Sequence, residues 1–247
     1  MIIRKINEHE AWCITQLHHS RMTGEIARLW GNSSFRIPEF AEALRTAALL
    51  HDVGWTSWEL HPEIDPQTGH PYDFLKMKQP DHVKIWEAGL SNSIGFGMLP
   101  ALLVYRHNIG LASLKDDNDP MMTQFFKQAS EKESMLFEEI SQHIEYSLSE
   151  LTEKVATLNS YLLFWDYISL RMCMGKEKNP FGEPPSPLNT DFKMDPHPTE
   201  TETFTLEPWP FGVKKIQWNA QVYKHRKGET FSYSSPVITL PLTLISS

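Results

Sequence analysis

Only two cysteines, Cys13 and Cys173, occur in the 247 residues, and neither belongs to a Cys-x-x-Cys pair. Neither a disulfide framework nor a cysteine-based structural zinc site is expected. Positive charge is also short. Lys and Arg number 23 against 31 Asp and Glu, a net charge of −8, and no basic cluster stands out. Nucleic-acid binders draw most of their affinity from phosphate neutralisation, so a nucleic-acid polymer is not an expected partner. A small phosphorylated ligand remains compatible, because net charge says little about a single cleft. No window approaches the roughly 20 apolar residues of a membrane span. The opening Met1-Ile2-Ile3-Arg4-Lys5 has no apolar stretch long enough for a signal peptide. The expectation is a soluble cytoplasmic protein with no membrane partner.

What is present is ordinary globular composition, 40% hydrophobic and 22% charged. That composition opposes global disorder and allows a real core without staples. The length suits one large domain, or one domain with a small annex.

The first two-thirds reads as helical. Residues 15–30 carry Met22, Ile26, Ala27, Leu29 and Trp30, with Gly31-Asn32 as a stop. Pro38 opens a second helix, Glu39 to about Val53, ended by Gly54. Residues 55–79 read as a long loop punctuated by prolines and glycine, and loops of that length are often functional. Further helices are predicted over about 81–92, 97–113, 120–148 and 151–175, with Asp117-Asn118-Asp119-Pro120 as a separator. Residues 179–200 are rich in Pro, Asp and Glu and read as an irregular wrap. From Thr201 onward the alternation predicts strands: Thr203-Phe204-Thr205-Leu206, part of 216–223, and 237–245 around Pro241. These strands either cap the helical core or form a homodimer contact.

Among the 11 histidines, the informative ones fall on or beside predicted helices. His19 lies early in the first, His51 and Asp52 close the second, His82 opens the third and His107 lies within the fourth. Asp166 sits in the apolar run Tyr161-Leu162-Leu163-Phe164-Trp165-Asp166-Tyr167-Ile168. A carboxylate buried there is costly unless it is paired or bound to a cation. The alternatives are an exposed face or pairing with Arg171. A His-Asp dipeptide alone is a weak signal. The combination is stronger, and imidazole with carboxylate suits Zn, Fe, Mn and similar ions. His18 and His19 point about 100° apart on a helix, so one site takes one of them.

The order His19…His51-Asp52…Asp166 resembles the HD superfamily of metal-dependent phosphohydrolases. Gln16-Leu17-His18-His19-Ser20, Gly24-Glu25-Ile26-Ala27-Arg28-Leu29-Trp30-Gly31 and His51-Asp52-Val53-Gly54-Trp55 are similar to a bacterial HD-like family, domain of unknown function 3891. So are the runs 65–74 and 107–111, Asp166-Tyr167-Ile168-Ser169-Leu170, and Pro208-Trp209-Pro210-Phe211. The resemblance spans almost the whole chain. It implies a mainly α fold, an HD-domain-like helical bundle over 1–178 with a small C-terminal β segment in 179–247. It also implies an all-alpha core in which His19, His51, Asp52 and Asp166 hold one metal. Members with two metals add two histidines between the pair and the last aspartate, and His82 and His107 fall in those intervals. Asp52 would then bridge the ions and orient the attacking water. The ions implied are Fe, Mn, Zn, Ni or Mg, one or two of them.

Many HD phosphodiesterases carry a lysine three residues after the aspartate of the pair; Trp55 stands there in this chain. Trp55, Trp58 and Tyr72 are candidates to stack on a substrate ring, or to pack the long loop onto the helices. Arg21 and Lys76, with Lys78 and Arg106, are candidates to neutralise phosphate. The expected function is hydrolysis of a nucleotide or other small phosphate ester. The alternatives are a di-iron HD-type oxygenase using the same six ligands and a non-catalytic metal-containing ligand-binding protein.

Overall fold

The structure, a computed structural model, describes residues 1–114, 119–177, 179–235 and 237–247. Of the predicted separator, Asp117 and Asn118 lie outside the described residues. Two short strands come first, β1 (Ile2–Lys5) and β2 (Glu10–Ile14). Helices follow: α1 (Gln16–Leu29), α2 (Ala41–Leu50), α3 (Thr56–Leu60), α4 (Gln79–Ser93), α5 (Met98–Ala112), α6 (Pro120–Ser141) and α7 (Leu148–Met174). The chain closes with β3 (Lys193–Pro196), β4 (Thr203–Glu207), β5 (Lys215–Arg226) and β6 (Val237–Ser246).

The strands form one sheet in the order β1-β2-β5-β6-β4-β3. Only β4 and β6 pair in parallel among the described pairings, so the sheet is mixed. This corrects the mainly α, all-alpha expectation. About half the chain is helical and 19% lies in a curled six-stranded sheet, an α/β fold. The physical reason lies at the N-terminus. Strands of four and five residues carry too little alternation to be read, and β2 finds its partner β5 some 200 residues away, Glu10 opposite Arg226. The sheet therefore joins both ends of the chain.

Period two puts different residues on its two faces. Ile2, Ile14, Ile216, Ala220, Val222, Leu240, Leu242 and Leu244 join the main core with α1, α2, α5 and α7. Met1, Ile3, Ala11 and Cys13 join Phe231, Tyr223 and Trp58 in a smaller cluster. The second cluster anchors the stretch after α2. That stretch is not a bare loop: it holds α3, a bridge between Ile64 and Pro71, and a short 3-10 turn, Phe74–Lys76. The Pro-rich segment after α7 is held by Phe192, buried against Phe164 with ring centroids 4.3 Å apart. Trp30, ending α1, meets Phe164, Trp165 and Phe211 edge-on. Burying such side chains contributes roughly 1.5–3 kcal/mol each. Among the described residues no helix is long and apolar enough to cross a membrane.

Candidate metal centre

Thr15 caps α1, its hydroxyl accepting from the His18 N–H at 3.1 Å. The helix then buries Gln16, His19, Ser20, Thr23, Ile26 and Ala27, a stripe at three- and four-residue spacing. His19 is fully buried in that stripe. His18, one residue earlier, points elsewhere, and its Nε2 accepts from the Gln221 N–H of β5.

α2 brings in the pair. Apolar Leu44, Ala47 and Ala48 pin the helix to the core, and His51 and Asp52 follow its last turn, both buried. His51 Nδ1 lies 2.9 Å from the Ala48 carbonyl oxygen. A carbonyl only accepts, so Nδ1 carries the proton and a neutral ring presents its lone pair at Nε2. Ser20 Oγ donates to the Leu49 carbonyl at 2.6 Å and ties α1 to the same turn. Gly54 fixes the next step. A Cβ there would lie 2.0 Å from the Ile85 carbonyl oxygen, so only glycine lets α4 close over the turn after Asp52.

α7 supplies Asp166, 6% exposed, and α5 supplies fully buried His107. Asp166 Oδ1 lies 2.9 Å from His19 Nε2 and 3.3 Å from His51 Nε2. Asp166 Oδ2 lies 3.5 Å from His107 Nε2. Asp52 Oδ2 is 3.2 Å from the other nitrogen of His19, Nδ1, and 3.4 Å from His51 Nε2. The rings of His51 and His19, and of His51 and His107, meet edge-on at 5.1 Å.

Of these short contacts, His19 Nδ1 to Asp52 Oδ2 is a hydrogen bond, whereas those to Asp166 Oδ1 are not aligned as such. His19 Nε2, His51 Nε2 and Asp166 Oδ1 are buried, and none has a partner in hydrogen-bond geometry. One ligand atom from each of these residues lies within 4.8 Å of the others. Buried polar atoms that crowd together without addressing one another fit ligands converging on a shared cation. Two imidazoles, one carboxylate and an adjacent second carboxylate form a donor set suited to Zn, Fe or Mn. Asp52 accepting at His19 Nδ1 would leave Nε2 for the ion, the carboxylate–histidine arrangement that orients metal ligands.

The electrostatics agree. Burial alone would lower His19, but contacts with Asp166 and Asp52 outweigh it and raise the imidazole to about 10. His51 is raised against burial by Asp52 and Asp166. Burial would raise both carboxylates, yet the neighbouring His51 and His19 hold Asp52 and Asp166 below the usual range. His107 is the exception: burial outweighs Asp166 and pushes it down to about 4. Positive charge is thus favoured where His19, His51 and the carboxylates meet.

Sequence reasoning named eleven site residues. The structure brings five together: His19, His51, Asp52, His107 and Asp166. His82 stacks on Trp86 at 4.9 Å and meets Trp55 edge-on at 5.6 Å. Trp55 is buried with Met77 and Ile85, with half-buried Trp58 and Tyr72 against that cluster. Arg21 is exposed and lines a cleft between α1 and β5. Lys76 lines a separate, larger cavity near β1. Of the two further phosphate candidates, Lys78 pairs with Glu63 at 2.5 Å and Arg106 with Glu133 at 2.7 Å.

Two hydroxyls escaped the sequence reading. Thr23 Oγ and Ser169 Oγ lie 2.8 Å apart, buried between α1 and α7. They also reach the carbonyls of His19 and Asp166, at 3.2 and 2.9 Å. Their only sequence signal is the spacing, one turn after each ligand.

The family described as a protein of unknown function (DUF3891) matches residues 1–225. The chain belongs to the DUF3891 family. Neither the curated proteins nor the solved structures gave a match.

Proposed function

We propose that this DUF3891 chain is a metal-dependent phosphohydrolase of HD type, acting on a nucleotide or another small phosphate ester. The observation that carries the reading is the unaligned convergence of His19 Nε2, His51 Nε2 and Asp166 Oδ1. These atoms, with Asp52, would hold one ion. A second ion would draw on His107, whose Nε2 lies 3.5 Å from Asp166, with His82 the outer candidate. A divalent ion held there would supply a lowered pKa for bound water and polarisation of a phosphoryl oxygen. The chain's own groups do the rest. The Ala48 carbonyl fixes the His51 tautomer, and Asp52 accepts a hydrogen bond from His19 Nδ1–H and would orient a nucleophilic water. Arg21 lines a cleft that holds no metal-centre residue and is not assigned to the phosphate; half-buried Trp58 and Tyr72 are the candidates for a ring.

The test is metal analysis of the purified chain, followed by phosphate release from nucleotides and simple phosphate esters. Loss of metal and activity together in Asp52→Ala is expected. Substrate-dependent oxygen uptake without phosphate release would replace the hydrolase with a di-iron oxygenase. No phosphate release and unchanged melting after chelation would remove a metal enzyme of either kind.

A further inference from the structure

A second pair of buried histidines lies away from the helical site. His70, in the stretch between α3 and α4, and His225, on β5, are each 3% exposed. Their Nδ1 atoms are 2.9 Å apart. His225 Nε2 lies 2.9 Å from the Glu229 carbonyl oxygen. Proton counting settles both tautomers. The carbonyl only accepts, so His225 carries its proton on Nε2 and, when neutral, a lone pair on Nδ1. His70 must then donate from Nδ1, which leaves its own lone pair on Nε2. Burial, with His225, Lys227 and Lys5 nearby, holds His70 below the usual histidine range, so the ring stays neutral. Among the described residues Nε2 has no protein partner.

The backbone around His70 is fixed. Asp65 accepts from the His70-side turn at Gln67 N and Thr68 Oγ, and the Gly69 carbonyl accepts from Gly228 N at 2.8 Å. Gly69 adopts φ +72°, and a Cβ there would lie 2.6 Å from the Lys227 side chain. The loop is therefore clamped to the turn after β5 by a contact only glycine allows.

His70 forms part of the wall of a cavity of about 860 Å³ between β1, this loop and the end of α7. That volume suits a small-molecule site. The cavity shares no residue with the metal centre. Its wall holds equal numbers of cationic and acidic side chains, but they are differently committed. Arg4 is locked to Glu202 by contacts of 3.0 and 2.6 Å, beside Gly175, where a Cβ would come within 2.7 Å of the guanidinium. Lys176 donates to the His197 and Glu200 carbonyls. Asp65 and Asp73 accept from backbone N–H groups. Lys5 and Lys76 have no ion-pair partner among the described residues, and neither does Glu177, the remaining carboxylate of the same wall.

We propose that this cavity is a second binding site, for a small anion that also carries an O–H or N–H donor. Lys5 and Lys76 take its charge, and His70 Nε2 accepts its donor. The site does not depend on the phosphohydrolase reading.

Hydrogen phosphate and sulfate separate the two parts of the claim, because they share charge and shape but only phosphate carries an O–H near neutral pH. Calorimetric titration of the full chain should show phosphate binding about tenfold tighter than sulfate, equivalent to about 1.4 kcal/mol. His70→Phe should erase that preference, and Asp166→Asn should leave it intact. Equal affinity for the two anions, or no phosphate binding at millimolar concentration, overturns the proposal. So does binding lost in Asp166→Asn but kept in His70→Phe, since phosphate would then sit at the metal centre. The nitrogen-15 imidazole spectrum of the unaltered chain gives a reading independent of any variant's folding. His70 Nε2 should give the signal of an unprotonated ring nitrogen and shift as phosphate is added. A protonated Nε2 overturns the assignment.

Discussion

Where α1, α2, α5 and α7 meet, three buried imidazoles face two buried carboxylates; where β5 meets the stretch before α4, two buried imidazoles face each other and a backbone carbonyl. The residue type is the same and the consequence is opposite. Beside Asp52 and Asp166, positive charge is stabilised, so the site favours a proton or a metal ion. At His70 burial, with His225, Lys227 and Lys5 nearby, opposes positive charge, and the ring offers a lone pair. What a buried histidine can do is set by its partner, and that partner comes from the tertiary fold.

The largest test of this contrast removes the carboxylate that three imidazoles share. Asp166→Asn should lower metal affinity by more than the about 10–100-fold typical of losing a ligand's outer partner. It should leave the His70–His225 pair unchanged. Metal content by elemental analysis and the imidazole nitrogen spectrum report the two regions in one sample. Full metal content in the variant would sink the ligand assignment. Asp52→Ala is the next step down. With Asp52 a ligand, the variant should lose metal and activity together; a fall of only about 10–100-fold would make Asp52 an orienting residue that acts through His19 Nδ1. A loss as large as that of Asp166→Asn would make Asp52 a direct ligand.

The two regions also differed in legibility. Asp166 was readable because a lone carboxylate in the run 161–170 has a cost that demands a partner. His19 was readable because helical spacing separates it from His18. The α/β architecture was not readable: β1 and β2 are short, and their partners come from the far end of the chain. The second pair was hidden for the same reason. His70 and His225 are 155 residues apart, and neither falls on or beside a predicted helix. Gly54 was read as a helix stop, whereas its stronger constraint is the approach of Ile85, a contact no local pattern encodes. Local periodicity reveals helix faces, but it does not reveal which loop a distant strand will meet.

Acidity gives a smaller and two-sided test. His107 titrates near 4 when folded, against an ordinary value of about 6.5. Between those values the unfolded chain binds the proton more, so stability falls as pH drops through that window. The slope approaches about 1.4 kcal/mol per pH unit for one proton. His19, raised to about 10, acts in reverse: its contribution is complete below about 6.5 and is lost as pH climbs towards 10. The metal-stripped chain should therefore be most stable near pH 6.5. His107→Asn should flatten the acid limb, and metal should remove the alkaline limb by replacing the protons. Melting curves across pH, with and without a chelator, check both limbs. An acid limb unchanged in His107→Asn would contradict the assignment.

The smallest expected effect belongs to the hydroxyl pair beneath the metal centre. Thr23 and Ser169 have two protons for three contacts: one between the hydroxyls and one each to the carbonyls of His19 and Asp166. One contact must therefore lack a proton, and either hydroxyl can be lost without stranding both carbonyls. Thr23→Val keeps the shape and should cost about 1 kcal/mol of stability. Its effect on metal affinity should stay below about tenfold, because Ser169 still reaches the Asp166 carbonyl. Adding Ser169→Ala removes the Ser169–Asp166 contact as well, while the shared Thr23–Ser169 contact is lost only once, so the double variant should lose less than the sum of the singles. Strictly additive losses would mean that the two hydroxyls do not couple α1 to α7. Metal loss in Thr23→Val as complete as in Asp166→Asn would mean that the spacing of α1 and α7 limits binding more than the carboxylate does.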